Sequence, residues 1–164
     1  MPEAVQQSEA LLRLLAQAGI EFMVIGGVAA ISWGATEFTR DLDVVMDFSL
    51  DNVAGLMTAL APHRPKHLTR PDLPGIAEAP QTLTGFRSLL LMTDLGRLDV
   101  LRDVPPLGRY ADFATRAVTV QAFGIPQRII GLDDLIAVKE HVARPKDLIV
   151  AAQLKAIRAA RSLR

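Results

Sequence analysis

The chain has 164 residues, half of them hydrophobic, and its 18 Lys and Arg balance its 18 Asp and Glu. That length fits one domain burying roughly two-thirds of its unfolded surface, and an apolar chain with no net charge is neither wholly disordered nor in need of a nucleic-acid coat. With no cysteine, a disulfide scaffold, a thiol nucleophile, a Cys-ligated zinc and an iron–sulfur cluster are excluded.

Residues 3–18 predict a helix, with Leu11, Leu12, Leu14 and Leu15 at spacings of three and four and Gly19 as a stop. Residues 21–25 read as a short buried strand ending at Gly26-Gly27, and residues 28–33 as an Ala-rich helix that Gly34 ends. Residues 41–48 alternate and read as a strand, and residues 50–61 as a helix with Ser49 or Asp51 as cap. Five prolines over residues 62–80 predict a long loop, which also carries His63, Arg64, Lys66, His67 and Arg70. Residues 86–92 and 97–102 form a hairpin through Thr93-Asp94-Leu95-Gly96. A short helix is expected over 110–116 and a second hairpin over 118–123 and 126–130, turning at Gly124. Two helices, 132–142 and 146–163, follow, parted by Arg144-Pro145. The order predicts an α+β fold: a small mixed sheet flanked by helices, with a C-terminal helical piece. We expect a single domain over residues 1–164, its core at about 19–130 and its C-terminal helices at about 132–163. No apolar run approaches the roughly 18 residues of a membrane helix. Glu3 and Glu9 stand where a leader would carry basic residues, so the expected compartment is the cytoplasm.

The chemistry concentrates in Asp41-Leu42-Asp43-Val44-Val45-Met46-Asp47-Phe48. On a strand, Leu42, Val44, Met46 and Phe48 share one face, and Asp41, Asp43, Val45 and Asp47 the other. Asp41 and Asp43 then lie about 6.5–7 Å apart along the strand. Two like charges on one face repel, and a divalent cation compensates them, since Mg²⁺ takes one or two carboxylates plus substrate phosphates. On the later strand, Leu98 and Val100 face one way and Asp99 the other. If the two strands are neighbours, three carboxylates converge, the layout that holds two metals roughly 3.5–4 Å apart for in-line phosphoryl transfer. The bland alternative is a solvated strand face, which is how Asp47 is read. Gly26-Gly27, between a strand and a helix, offers exposed amides that can cradle phosphate.

Together these features resemble the nucleotidyltransferase superfamily of DNA polymerase β in its minimal prokaryotic form, and more narrowly the proteins related to AbiEii toxins. The resemblance rests on Gly26-Gly27-Val28-Ala29, then Gly34, Thr39, Asp41 and Asp43, then Asp99, and on Lys139 followed by Arg144-Pro145-Lys146-Asp147. It implies that Asp41, Asp43 and Asp99 form the catalytic metal site, with Asp99 as the third acid. Gly26 and Gly27 would face the triphosphate, and Thr39, Arg40, Lys139, Arg144 and Lys146 would contact the nucleotide. The implied activity is Mg²⁺- or Mn²⁺-dependent transfer of a nucleoside monophosphate from an NTP to a hydroxyl of RNA, protein or a small molecule. A toxin acting on tRNA or protein, paired with a cognate antitoxin, is the narrower implication. Two positions depart from the pattern: Glu37 stands where such proteins often carry Arg, and Val150 where relatives often carry another Asp. They motivate the alternative of a non-catalytic nucleotide-binding or antitoxin-type module. A plain protein-interaction domain is the third reading.

Taken without the resemblance, Lys139 among Leu135, Ile136 and Val138 reads as a snorkelling surface lysine, and Asp147 as a helix N-terminal acid. Lys155, Arg158, Arg161 and Arg164 form a basic stripe on the last helix, read as a solvated face, with an RNA backbone contact as the alternative. His63, His67 and His141 share no metal-ligand spacing, and Trp33 is expected in the core.

Overall fold

A computed structural model describes residues 4–70, 72 and 80–164. The first helix, α1 (Ser8–Gln17), is shorter than its periodic pattern: residues 4–7 are not helical, and residue 3 lies outside the described residues. Its apolar stripe, Leu11, Leu12 and Leu15, is fully buried. Strand β1 (Phe22–Ile25) is buried along its whole length and runs into α2 (Gly26–Trp33), so the helix begins on the Gly-Gly pair itself. Strand β2 (Asp41–Met46) follows, then α3 (Leu50–Leu60), whose first turn is capped by the Ser49 hydroxyl accepting from the Asn52 N–H at 3.3 Å.

The proline-rich stretch contains a short strand: β3 (Lys66–His67) pairs with β4 (Ser88–Thr93). Two residues have no readable periodicity, so only the free edge of β4 defines this strand. Pro71 and Pro74 of the expected loop lie outside the described residues. Helix α4 (Pro80–Leu83) precedes β4, and β5 (Gly96–Leu101) returns beside it. A small ribbon, β6 (Asp103–Val104) with β7 (Gly108–Arg109), leads into α5 (Tyr110–Phe113). The hairpin β8 (Val118–Ala122) and β9 (Ile125–Ile129) comes next, then α6 (Leu132–Val142) and α7 (Pro145–Ser162).

Among the described residues, the other seven strands form one mixed sheet in the order β3-β4-β5-β2-β1-β9-β8. The fold is α+β, with helices flanking the sheet and a C-terminal helical pair. Strand β2 lies near the middle, antiparallel to β1 and parallel to β5. That placement matters most for the site, because two in-register neighbours bring residues distant in sequence onto one face. Asp43 is paired with Ile25 on one side and Asp99 on the other, and Asp41 is opposite Arg97.

The basic stripe of α7 turns toward its neighbours rather than toward solvent alone. Lys155 pairs with Glu140, Arg158 bonds Asp133 at 2.8 Å, and the Arg161 guanidinium lies 5.0 Å from the centre of the Trp33 ring. Trp33 is half-buried and donates its indole N–H to the Ile130 carbonyl at 2.9 Å. Among the described residues, no helix is long and apolar enough to cross a membrane.

Candidate active site

Strand β2 presents Asp41 and Asp43 and β5 presents Asp99 at the same level of the sheet, and one carboxylate oxygen from each lies within 4.8 Å of the others. Asp47 is exposed beyond the end of β2, apart from this cluster. Burial, then the charges of Asp41 and Asp99, push the Asp43 carboxyl up from an ordinary 3.8 to about 7, against the pull of Arg97 and Lys139. A carboxyl raised on folding stabilises the folded state while protonated and loses that contribution as it ionises. Metal-free protein should therefore lose about 4 kcal/mol through this group between about pH 4 and pH 7. Denaturant melts across that range should show the slope, Asp43→Asn should flatten it, and added Mg²⁺ should restore stability above pH 7.

Gly26 makes room for Asp43. Its φ is +65°, a conformation that costs an L-residue roughly 1–2 kcal/mol. A Cβ there would collide with Asp43 Oδ2 and lie 3.0 Å from the Asp43 Cβ and Cγ. Gly26→Ala should cost about 2 kcal/mol or more by strain and overpacking. It should also weaken Mn²⁺ binding by displacing Asp43; calorimetry of both properties checks this. Gly27 is similarly tight, since a Cβ there would lie 2.8 Å from the Thr39 Cβ. The Thr39 hydroxyl donates to the Asp41 backbone carbonyl at 3.0 Å and lies 3.2 Å from Asp41 Oδ1, so it orients that acid.

Arg97 is the residue that sequence reasoning missed. Its guanidinium forks both Asp99 oxygens at 2.9 Å and stands 3.6 Å from Asp41 Oδ2. The signal was present: Arg97 is two residues before Asp99, hence on the same face of β5. Three carboxylates against one guanidinium leave a formal excess of two negative charges, and the raised Asp43 shows that Arg97 does not compensate them all. An all-oxygen donor set with that excess fits a hard divalent cation such as Mg²⁺ or Mn²⁺.

A cavity of about 530 Å³ opens onto these acids and is lined by the metal-site and nucleotide-contact residues expected from the resemblance: Gly26, Gly27, Thr39, Arg40, Asp41, Asp43, Asp99, Lys139, Arg144 and Lys146. Its far wall is the apolar face of α6, with Leu135, Val138 and Val142. Lys139 is buried rather than snorkelling: it bonds Glu37 at 3.2 Å and Asp147 at 3.4 Å. Arg144 holds the other Asp147 oxygen at 2.6 Å. Arg40 lies over the Phe38 ring, 5.5 Å from its centre, and Phe38 is 81% exposed at the cavity mouth. Val150 is buried in the core face of α7.

No protein-family model and no curated protein sequence matches the chain. Among solved structures, the chain is similar to the lincosamide antibiotic adenylyltransferase LnuA in its lincomycin-bound form, with 12% identity and a TM-score of 0.63 over 95% of this chain and 99% of that one. A Thermotoga maritima protein described as a candidate nucleotidyltransferase aligns over 98% of both chains at 10% identity, with a TM-score of 0.49. The overall fold is thus one that this adenylyltransferase structure also has.

Proposed function

We propose that the protein is a divalent-metal-dependent nucleotidyltransferase that moves a nucleoside monophosphate from an NTP to a hydroxyl. The observation that carries this reading is the convergence of Asp41, Asp43 and Asp99 beside the Gly26-Gly27 turn in one cavity. A cation held by Asp41, Asp43 and Asp99 would neutralise triphosphate charge and acidify the acceptor hydroxyl. The remaining work falls to the chain. Gly26 and Gly27, at the start of α2, offer phosphate oxygens a helix N-terminus with no side chain of their own. The acceptor oxygen attacks the α-phosphorus, the bond from that phosphorus to the β-phosphate oxygen breaks, and pyrophosphate leaves. The hydroxyl proton passes to Asp99, whose carboxylate Arg97 aims. Phe38, exposed at the mouth with Arg40 on its face, offers a stacking surface for a ring.

A small hydroxyl-bearing molecule is the favoured acceptor. The apolar wall of α6 suits a compact organic body, and the full-length structural neighbour is described as an antibiotic adenylyltransferase. Three residues of the basic stripe, Lys155, Arg158 and Arg161, are engaged by Glu140, Asp133 and Trp33. The AbiEii-type reading, with a tRNA or protein acceptor and an antitoxin partner, is a separate arm of the same test.

The test incubates the protein with Mg²⁺ or Mn²⁺, each α-³²P-labelled NTP, and either tRNA, cell-lysate protein or a small-molecule extract. Label transferred by the wild type and not by the Asp41→Asn/Asp43→Asn variant supports the proposal and names the acceptor class. Metal-dependent NTP binding with no labelled product in any arm favours a nucleotide-binding module without catalysis, a reading that the pairing of Lys139 with Glu37 motivates.

A further inference from the structure

Glu37 belongs to the segment that joins α2 to β2, and its carboxylate reaches into the cavity wall. Its oxygens lie 3.2 and 3.4 Å from the Lys139 ammonium. Its Cδ would stand 3.4 Å from a Cβ on Gly27, so the same carboxylate also sits against the first turn of α2. A buried lysine and the N-terminal turn of a helix are two features that attract an anion. In this chain the anion already there is a side chain.

The charge count around Lys139 sharpens the point. Lys139 and Arg144 face Glu37 and Asp147, two cations against two anions, and Lys139 and Asp147 are both buried. That set is neutral and leaves no cationic surplus for an incoming polyphosphate. Among the described residues lining the cavity, Arg40 and Lys146 make no ion pair, and neither is buried. The segment carrying Glu37 is pinned on both sides. The Thr36 N–H donates to Gln153 Oε1 at 2.8 Å, and the Thr39 hydroxyl is held by Asp41. Between those anchors, Phe38 is exposed. Glu37 can therefore withdraw by a change of its own rotamers, without unfolding its neighbours.

We propose that Glu37 is a specificity-determining residue that occupies the polyphosphate seat formed by Lys139 and the first turn of α2, so that a triphosphate binds productively only by displacing it. This deepens the proposed function and rests on it: the ligand class is the polyphosphate of an NTP, and Glu37 sets how readily the site accepts it. An anion with several charges, able to exchange for a carboxylate and also reach Arg40 or Lys146, is favoured over a single phosphate.

The test uses inorganic tripolyphosphate as the probe, titrated calorimetrically without metal, acceptor or base. Four forms are compared: wild type, Glu37→Gln, Lys139→Gln and the double variant, each with a thermal melt. Glu37→Gln should bind tripolyphosphate about tenfold more tightly than wild type, the size of one charge-assisted contact released. The gain should vanish when Lys139 is also replaced, and orthophosphate should gain much less. Unchanged or weaker binding by Glu37→Gln, or a gain that persists without Lys139, overturns the proposal. Glu37→Asp, which keeps the charge and shortens the reach, should fall between wild type and Glu37→Gln and covers the case in which the Gln variant does not fold. Failure of the nucleotidyltransferase reading is seen separately, as equal labelling by the wild type and the Asp41→Asn/Asp43→Asn variant.

Discussion

Replacing Asp41 and Asp43 together with asparagine will lower nucleoside monophosphate transfer by about 10³-fold or more, while the folded protein melts no lower than wild type at pH 8. The two halves of this expectation have the same origin. Asp43 lies in register with Asp99, and one oxygen from each of Asp41, Asp43 and Asp99 lies within 4.8 Å of the others, an arrangement that costs folding energy unless a cation compensates it. Asparagine keeps their shape and removes their charge. Charge stabilisation worth several kcal/mol at the reacting phosphorus disappears, and each 1.4 kcal/mol is about tenfold in rate. The burial of a charge at Asp43 and its repulsion by neighbouring acids, which together raise that carboxyl to about 7, disappear as well. Labelled-NTP transfer and thermal unfolding, run on the same preparations, check both. A variant that loses activity and also melts far below wild type would mean that the acids are structural. Retained activity would remove them from the mechanism.

Asp147→Ala should have the largest effect on stability, a loss of about 3–5 kcal/mol, seen as a fall in Tm of roughly 6–20 °C. Asp147 is buried and bonds both Arg144 and Lys139. Removing it releases the exposed Arg144 to solvent and leaves Lys139 buried with Glu37 as its remaining ion-pair partner. Burial alone would raise the Asp147 carboxyl. The hydrogen bond from Arg144 and the charges of Lys139 and Arg144 overcome that and hold it below the usual 3.8. A carboxyl depressed on folding stabilises the protein above its unfolded pKa, and that contribution is lost as pH falls through the folded value. The penalty of Asp147→Ala should thus be complete at pH 7 and shrink in strong acid. A fall in Tm of only a degree or two at pH 7 would show that the pair adds little to stability.

Much of the fold was legible because the pattern in each segment agrees with its final environment. The leucines of α1, the alternation of β2 and the hairpin around Asp94-Leu95 were all readable locally, and each is an element of the structure. The strand β3 was not readable, since its two residues carry no period and it is ordered by the edge of β4. Lys139 was ambiguous for a related reason. Its neighbours on α6 are apolar, so the residues alone allow either a surface or a buried lysine, and its buried state depends on Glu37 and Asp147 from other elements. Val150 is a core residue of α7.

For the site, the sequence alone carried the residue types, the alternation that puts Asp41 and Asp43 on one face, and a glycine pair between strand and helix. Those are properties of spacing along the chain, which local backbone geometry translates directly into direction. The tertiary structure decided that β5 runs parallel beside β2 with Asp99 level with Asp43, and that Glu37 rather than solvent faces Lys139. These are pairings between residues up to 102 positions apart, and sequence spacing says nothing about them. They follow from strand order and register, which the burial of the whole sheet sets at once.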